Sequence, residues 1–465
     1  MTPECEIQQA TDFLRQGDAE AAFDCTGRLL SLPLAQALTT DQLMEVKALR
    51  GIAAYNTRRF DDAVRSLTPV CATPYANATL LSALALAYWM LNRVEEAFVE
   101  IRKCVHVEPA NTGHLLHAAR IATDLNKFDL ALGYLLRAQG QDSKSAEIHL
   151  AMSRYLLAIG EYQPGWREYE WRDFLPNPGN ELPPMTSAPW NGMKIPGGYI
   201  LVICDQGFGD CLQFVRFVPL ARERCEKIIL ACSKELYPLL RNMAGVDFAF
   251  TQWADIPPHA AHCRLSSLPF LLGINDESQF SPTEAYLSAD TAKVLSWKKV
   301  LEETRPNLPA SAPNIGLIWQ GRTTHPNDVR RSLSLKQLLP LGEIKGCRFV
   351  CLQKPLPEKD IPLLEHFNGM QDWSERLCDY SETAALVKNL DLVISIDSSI
   401  SHVAGSLGVP AWVLLPQASD WRWGVSGART AWYPKTKLFR QPSPGAWEPV
   451  IDEVVTALQE RLWVE

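Results

Sequence analysis

The sequence predicts two fold classes in one chain: an all-helical repeat array over residues 1–172, then an α/β region built on parallel sheets over residues 199–465. Three observations lead there. Bulky and small residues recur every 34 positions in the first part, which is how stacked helix pairs are written. A proline-rich stretch, residues 173–198, then breaks the helical pattern. From Tyr199 onward, apolar β-branched runs alternate with helical segments, once up to about residue 305 and again from residue 306; this alternation marks a parallel sheet wound with crossover helices.

The chain has 465 residues, 47% apolar and 21% charged, an ordinary globular composition with room for roughly three domains. The formal net charge of -8 argues against a general nucleic-acid binder, because phosphate contacts need a basic face. No apolar run approaches the ~18–20 residues of a membrane span. The acidic start, Met1-Thr-Pro-Glu-Cys-Glu6, has no apolar core, so no signal peptide is expected. The twelve cysteines include no C-x-x-C pair, which suits reduced thiols and a cytoplasmic location. His259, His262 and Cys263, or His114 and His117, lack a matching second half, so no metal is expected.

In the helical part, Phe60, Val94, Phe128 and Tyr162 are 34 residues apart. Ala63, Ala97, Ala131 and Gly165 follow three positions later, and Gly51, Ala85, Ala119 and Ser153 stand nine positions before. Small residues there let two antiparallel helices approach closely, and the bulky residue fills the gap between them. Pro109 ends one unit. Residues 12–33, with Asp18-Ala-Glu-Ala-Ala22, form a degenerate first unit put out of phase by an insertion near residues 34–41. The pattern Gly51…Ala54…Phe60…Ala63 and Ala85…Tyr88…Val94…Ala97 resembles the tetratricopeptide repeat. That resemblance implies a solenoid with a concave, partner-binding face. Its frame puts Tyr55, Asn56, Trp89, Met90, Arg120, Asp124 and Arg154 on or near that face, where a protein acceptor would lie. The same side chains could instead merely cover the inner helices.

The proline-rich stretch is expected to be a linker, with Trp190 pinning it to the next domain. Tyr199-Ile-Leu-Val-Ile-Cys204 reads as a strand and Asp205-Gln-Gly-Phe-Gly-Asp210 as a Gly-rich turn. A helix over about 211–224, a strand at 227–232, a helix at 233–243 and a strand at 246–250 are expected next. Gly207 and Gly209 let backbone come close to a ligand, and Asp210 faces the same cleft from the helix start. The plainer reading of Asp210 is a helix-terminal charge, worth ~0.3–1 kcal/mol.

Pro306, Pro309 and Pro313 mark the second boundary. Asn314–Trp319 reads as a strand, followed by a polar loop from Gln320 to Ser332 with Arg322, His325, Asp328, Arg330 and Arg331. A strand at 348–352 ends in Gln353-Lys354, and a helix covers 379–388. Residues 392–396 are an apolar β-branched run suited to a strand covered on both faces. Asp397, Ser398 and Ser399 are helix-capping types, so a helix runs from there to about Leu407, stopped by Gly408. Its free N–H groups make an anion site at the sheet's carboxyl edge. A strand at 411–415, the run Asp420-Trp-Arg-Trp423 and a helix over about 447–463 close the chain. Two Rossmann-like halves would leave a cleft between their carboxyl edges. Arg331 and Lys354 there suit a diphosphate, and a carboxylate across the cleft can deprotonate an acceptor hydroxyl.

These words resemble a known family. Asp205-Gln-Gly-Phe-Gly-Asp210, Ile315-Gly-Leu-Ile-Trp-Gln-Gly321, Asn327-Asp-Val-Arg-Arg-Ser332, Cys351-Leu-Gln-Lys354, Asp391–Asp397 with Ser401-His402, and Asp420–Trp423 are similar to the GT-B glycosyltransferases related to ADP-heptose:lipopolysaccharide heptosyltransferases, over about residues 190–460. The order of repeats then transferase is also similar to that of O-GlcNAc transferases. The resemblance implies a GT-B fold, with domains at 199–305 (acceptor side) and 306–465 (donor side). It implies an inverting, metal-independent transfer from a nucleotide-sugar, with no cofactor beyond that co-substrate. Asp210 matches the base, and Gly207, Gly209, Gln320, Arg331, Gln353, Lys354, Asp397, Ser398, Ser399 and His402 match donor contacts. Arg422 is a further donor-contact candidate or part of a packed aromatic corner. The acceptor expected is a protein held by the repeat array, such as flagellin or another surface protein before export. The alternatives are a glycan- or lipopolysaccharide-directed transferase and a non-catalytic scaffold on a degenerate transferase domain. The sequence leaves the sugar, the nucleotide and the oligomeric state open.

Overall fold

The computed structural model describes residues 2–31, 34–175, 182–280, 285–305, 308–325, 327–367 and 370–463. Pro176, Pro178 and Pro306 of the two expected boundaries lie outside the described residues. The chain divides into two compact units, Met1–Met152 and Ser153–Glu465. Among the described residues no helix is long and apolar enough to cross a membrane.

The first unit is a run of helix pairs of tetratricopeptide type: α1 (Pro3–Arg15) with α2 (Ala19–Leu29), α3 (Thr40–Asn56) with α4 (Phe60–Cys71), α5 (Ala78–Met90) with α6 (Val94–Val107), and α7 (Thr112–Asp124) with α8 (Phe128–Gln141). A further pair, α9 (Ala146–Ala158) and α10 (Tyr162–Tyr169), comes next, and α9 crosses the division between the units. The 34-residue period has a backbone cause. Phe60, Val94, Phe128 and Tyr162 each open the second helix of a pair. Two residues earlier stand Arg58, Asn92, Asn126 and Gly160, with φ of 60, 60, 56 and 85°. One left-handed residue per pair reverses the chain between antiparallel helices. Gly17 (φ 81°) repeats the device in the degenerate first pair, and a short 3-10 turn, Leu34–Ala37, lies in the inserted segment. The small positions are close approaches: a Cβ on Gly51 would come within 2.4 Å of the Leu67 side chain, and Ala63, Ala85, Ala97 and Ala131 are fully buried.

The second unit holds two five-stranded parallel sheets. The first comprises β1 (Ala188–Pro189), β2 (Ile195–Ile203), β3 (Cys225–Ala231), β4 (Phe248–Phe250) and β5 (Ala261–Arg264), in the order β1-β5-β2-β3-β4. The second comprises β6 (Asn314–Ile318), β7 (Arg348–Cys351), β8 (Leu392–Ile396), β9 (Ala411–Leu415) and β10 (Thr436–Arg440), in the order β10-β9-β8-β6-β7. The helices are α11 (Phe208–Phe214), α12 (Val218–Arg222), α13 (Tyr237–Leu240), α14 (Leu268–Leu272), α15 (Thr291–Glu303), α16 (Asp328–Arg331), α17 (Leu339–Gly342), α18 (Tyr380–Val387), α19 (Ser399–Ser406) and α20 (Glu448–Trp463). Register aligns the strand ends. Ile203 pairs with Ala231 and with Arg264, so the 205–210 turn and residues 265–267 leave from one edge. Ile318 pairs with Ser395, so residues 320–331 and 397–402 also leave together.

Several expected elements change. The helix expected over 211–224 starts at Phe208, passes through a 3-10 turn at Val215–Phe217 and resumes as α12, where Pro219 sits in the first turn. The helix expected over 233–243 shrinks to α13, again opened by a proline, Pro238. The proline-rich stretch supplies an edge strand, Ala188–Pro189, a place where proline's missing N–H costs no ladder bond. Trp190 is buried in the core, its backbone N–H donating to His262 O (2.7 Å). Strands β5 and β10 were not foreseen.

One apolar core is shared by both sheets: Ile200, Val202 and Ile228 of the first, Val393, Val413 and Leu415 of the second. Tyr162 and Trp166 of α10 belong to it as well, with Trp166 at 1% exposure. Trp166 meets Trp421 edge-on (5.4 Å between ring centroids) and Phe214 (6.0 Å). The last helix of the repeat pattern is thus part of the core beneath the Asp420–Trp423 run.

Candidate functional site

The 205–210 turn and the start of α19 are in direct contact. A Cβ on Gly209 would lie 2.9 Å from the His402 ring and 3.6 Å from Ser399 Cα. Gly209 therefore answers to a protein contact, where the sequence suggested room for a ligand. Gly207 caps α11 with extended backbone (φ -79°, ψ 169°), and its N–H donates to Asp210 Oδ2 (3.0 Å). The other oxygen of Asp210 pairs with Arg422 Nη2.

Arg422 is the hub of the site. Its Nη1 donates to Asp420 Oδ1 (2.7 Å) and its Nε to Gln213 Oε1 of α11 (2.5 Å). Its guanidinium lies 4.2 Å from the centre of the Trp421 ring. Trp421 and Trp423 are buried, as a packed aromatic corner would have them, while Arg422 reaches across to the carboxylate of the first sheet's turn. Burial raises the Asp210 pKa above its usual 3.8, with Arg422 pulling against that rise. For Asp420 burial acts in the same sense, but the charge and hydrogen bonds of Arg422 outweigh it and the pKa falls. Asp397 is pushed up to about 6 by burial and by Asp420, against Arg331.

His402 is a core residue of this cluster. It is 4% exposed, its Nδ1 lies 2.7 Å from the Tyr433 hydroxyl, and its ring stacks on Trp423. Burial, then the charges of Arg422 and Arg216, lower its pKa to about 3, so it is neutral at ordinary pH. Ser398 caps α19, its Oγ accepting from Ile400 N (3.2 Å). Ser399 Oγ accepts from the Tyr380 hydroxyl (2.7 Å), and the Tyr380 ring packs on Phe208 of the turn (5.2 Å). Arg331 Nη1 donates to Asp397 O (3.1 Å), holding that side chain at the strand end.

The remaining residues expected to contact a donor differ in availability. The Gln353 side chain is 2% exposed and spent on backbone: its Oε1 accepts from Trp319 N (3.3 Å) and Gln320 N (3.0 Å), and its Nε2 donates to Gln320 O (3.1 Å) and Pro355 O (3.2 Å). It shapes the loop that begins at Gln320. Lys354 is exposed, with its Nζ donating to Leu377 O. Among the repeat residues, Trp89 Nε1 donates to Asp124 Oδ2 (2.6 Å), linking successive pairs. Tyr55 and Arg120 are half-buried and Asn56 is exposed. Arg154 is exposed, and its charge helps lower the pKa of both Asp420 and His325, so it belongs with the second unit's cluster. Gln213 and Tyr169 carry no signal in the sequence. Only the tertiary fold brings them to Arg422. Among the described residues no three His, Cys, Asp or Glu side chains gather as a metal site.

No family model matches the chain. Protein FlbA of Caulobacter vibrioides (strain ATCC 19089 / CIP 103742 / CB 15) is 26% identical over 375 residues, covering 72% of this chain. The match spans 59% of the length of FlbA. Among solved structures, MamA MSR-1 C2 aligns with 37% of this chain and 95% of its own at TM-score 0.33 and 17% identity. YrrB, described as a TPR protein with an unusual peptide-binding site, aligns with 37% of this chain and 87% of its own at TM-score 0.33 and 13% identity.

Proposed function

We propose that the second unit is a GT-B glycosyltransferase moving a sugar from a nucleotide-sugar to an acceptor hydroxyl, and that the repeat array recruits a protein as that acceptor. The observation that carries the reading is the ion pair between Asp210, from the first sheet's turn, and Arg422, from the second sheet's loop, beside the start of α19. Charged groups from separate loops converge there.

In this reading Asp210 takes the proton of the acceptor hydroxyl. The acceptor oxygen attacks the anomeric carbon from the face opposite the leaving group, and the bond from that carbon to the diphosphate oxygen breaks with its electron pair. The nucleoside diphosphate departs, and the configuration inverts. Arg331, Lys354 and the N–H groups of α19 are the candidates to neutralise the charge it gains. Arg422 has a second use: a phosphate that competes for its guanidinium would release Asp210 to act as a base. Burial favours proton uptake by Asp210, with the charge of Arg422 acting against it. The exposed Arg154 and the Asp420 carboxylate edge the same cluster, where an acceptor chain would enter.

The test is a thermal-shift panel with UDP, ADP, GDP and CMP and their sugars on the whole chain. One nucleotide class should stabilise the protein, by ~2.7 kcal/mol at a hundredfold excess over its Kd. Arg331→Ala should lose most of that shift. No shift with any member of the panel would overturn the donor site and leave the scaffold reading.

A further inference from the structure

A second set of buried charges has no part in the chemistry just described. Arg172 lies beyond α10 in the 3-10 turn Glu170–Phe174, and its side chain is 5% exposed. Its Nη1 donates to Glu170 Oε1 (2.7 Å) and Tyr169 O (3.1 Å), its Nη2 donates to Ser267 Oγ, and its Nε lies 3.6 Å from Asp205 Oδ2. Ser267 Oγ in turn donates to Glu170 Oε2 (2.8 Å). Asp205 is the first residue of the Gly-rich turn, with a side chain 2% exposed that accepts from Ser266 N (3.0 Å) and Ser266 Oγ (2.5 Å). Its carbonyl accepts from Cys211 Sγ of α11 (3.2 Å). The next residue, Gln206, holds φ at 64°, a left-handed conformation that is costly for a residue with a Cβ.

A buried arginine between two carboxylates is a poor way to gain stability, because desolvation consumes most of the attraction. What such a network supplies is one fixed geometry. The turn it fixes ends, five residues on, at Asp210. We propose that Arg172 is a positioning residue: through Asp205 and the Ser266–Ser267 pair it locks the 205–210 turn, and so sets where the Asp210 carboxylate stands. The proposal rests on the reading of Asp210 as the base. It also assigns the segment Tyr169-Glu-Trp-Arg172 to the catalytic machinery, although it adjoins the repeat pattern directly.

The experiment uses the full chain with Arg172→Met, Arg172→Lys and Ser266→Ala. Hydrogen exchange of the 205–211 amides should quicken at least ~10-fold in Arg172→Met, less in Arg172→Lys, with the 392–415 segment unchanged. On the matched nucleotide-sugar, kcat should fall ~10–100-fold while the donor KM stays within about twofold, because a small misplacement of a reacting group is enough to cost that much. If Arg172→Met does not fold, Ser266→Ala decides: it removes one hydroxyl and should quicken the same amides. Unchanged exchange at 205–211, or exchange that rises equally in both sheets, would overturn the proposal. Should the wild type turn over no nucleotide-sugar, the transferase reading fails, while the exchange result still decides whether Arg172 holds the turn.

Discussion

At the scale of single residues, the site is a negotiation between burial and charge. Arg422 is shared by Asp210 and Asp420 and lowers the basicity of both. His402 meets that positive charge, offset only in part by Asp420, and burial keeps it neutral down to about 3. This has a pH consequence. Below its ordinary 6.5, an unfolded chain binds a proton at His402 that the folded chain refuses, so stability is lost as pH falls from about 6.5 toward 3. Asp397 works in the opposite sense: with a folded pKa of about 6 against 3.8, it gives up stability as pH rises between those values. His402→Asn should therefore show a smaller drop in urea midpoint from pH 7.5 to pH 5 than the wild type. An equal drop in both would mean that the histidine carries its proton when folded. Asp210, Gly209, Arg331 and His402 were all visible in the sequence as unusual residues at strand ends. Their pairings were not, because Arg422 and Asp210 are more than two hundred residues apart.

At the scale of elements, α11 and α19 approach closely at Gly209. Neither helix has a side chain to spare at the crossing, since Gly209 faces the His402 ring. Gly209→Ala should cost ~1–3 kcal/mol of stability by overpacking. Combined with His402→Ala, the loss should be much less than additive, as for residues in contact. Full additivity in a double-mutant cycle of unfolding midpoints would show that the two do not touch. Elements with a strong local code were legible. The helix pairs announced themselves through a period enforced by one left-handed residue per turn, and α19 through its serine cap and Gly408. The missed strands lacked such a code: Ala-His-Cys-Arg in β5 and Thr-Lys-Leu-Phe-Arg in β10 are short, carry charge and are strands only because a parallel neighbour pairs with them. The broken helix at 211–224 had a readable cause in Pro219.

At the scale of the whole chain, two compact units carry two different designs. The first repeats one helix pair; the second builds an apolar core shared by two parallel sheets, draws α10 into it, and covers the other face of each sheet with a separate apolar cluster. The proline-rich stretch read as a linker also contributes an edge strand, and Trp190, expected to pin it, is buried. A parallel sheet's carboxyl edge was the expected place for a ligand, and the charged residues do gather there. Whether they serve the proposed transfer turns on Asp210. The most direct measurement is release of nucleoside diphosphate from the nucleotide-sugar that stabilises the chain, compared between wild type and Asp210→Asn. The transferase account predicts that both proteins bind the donor with affinities within about threefold, while turnover in Asp210→Asn falls ~10²–10⁴-fold, the usual contribution of a positioned base. Equal turnover in the two proteins would contradict it.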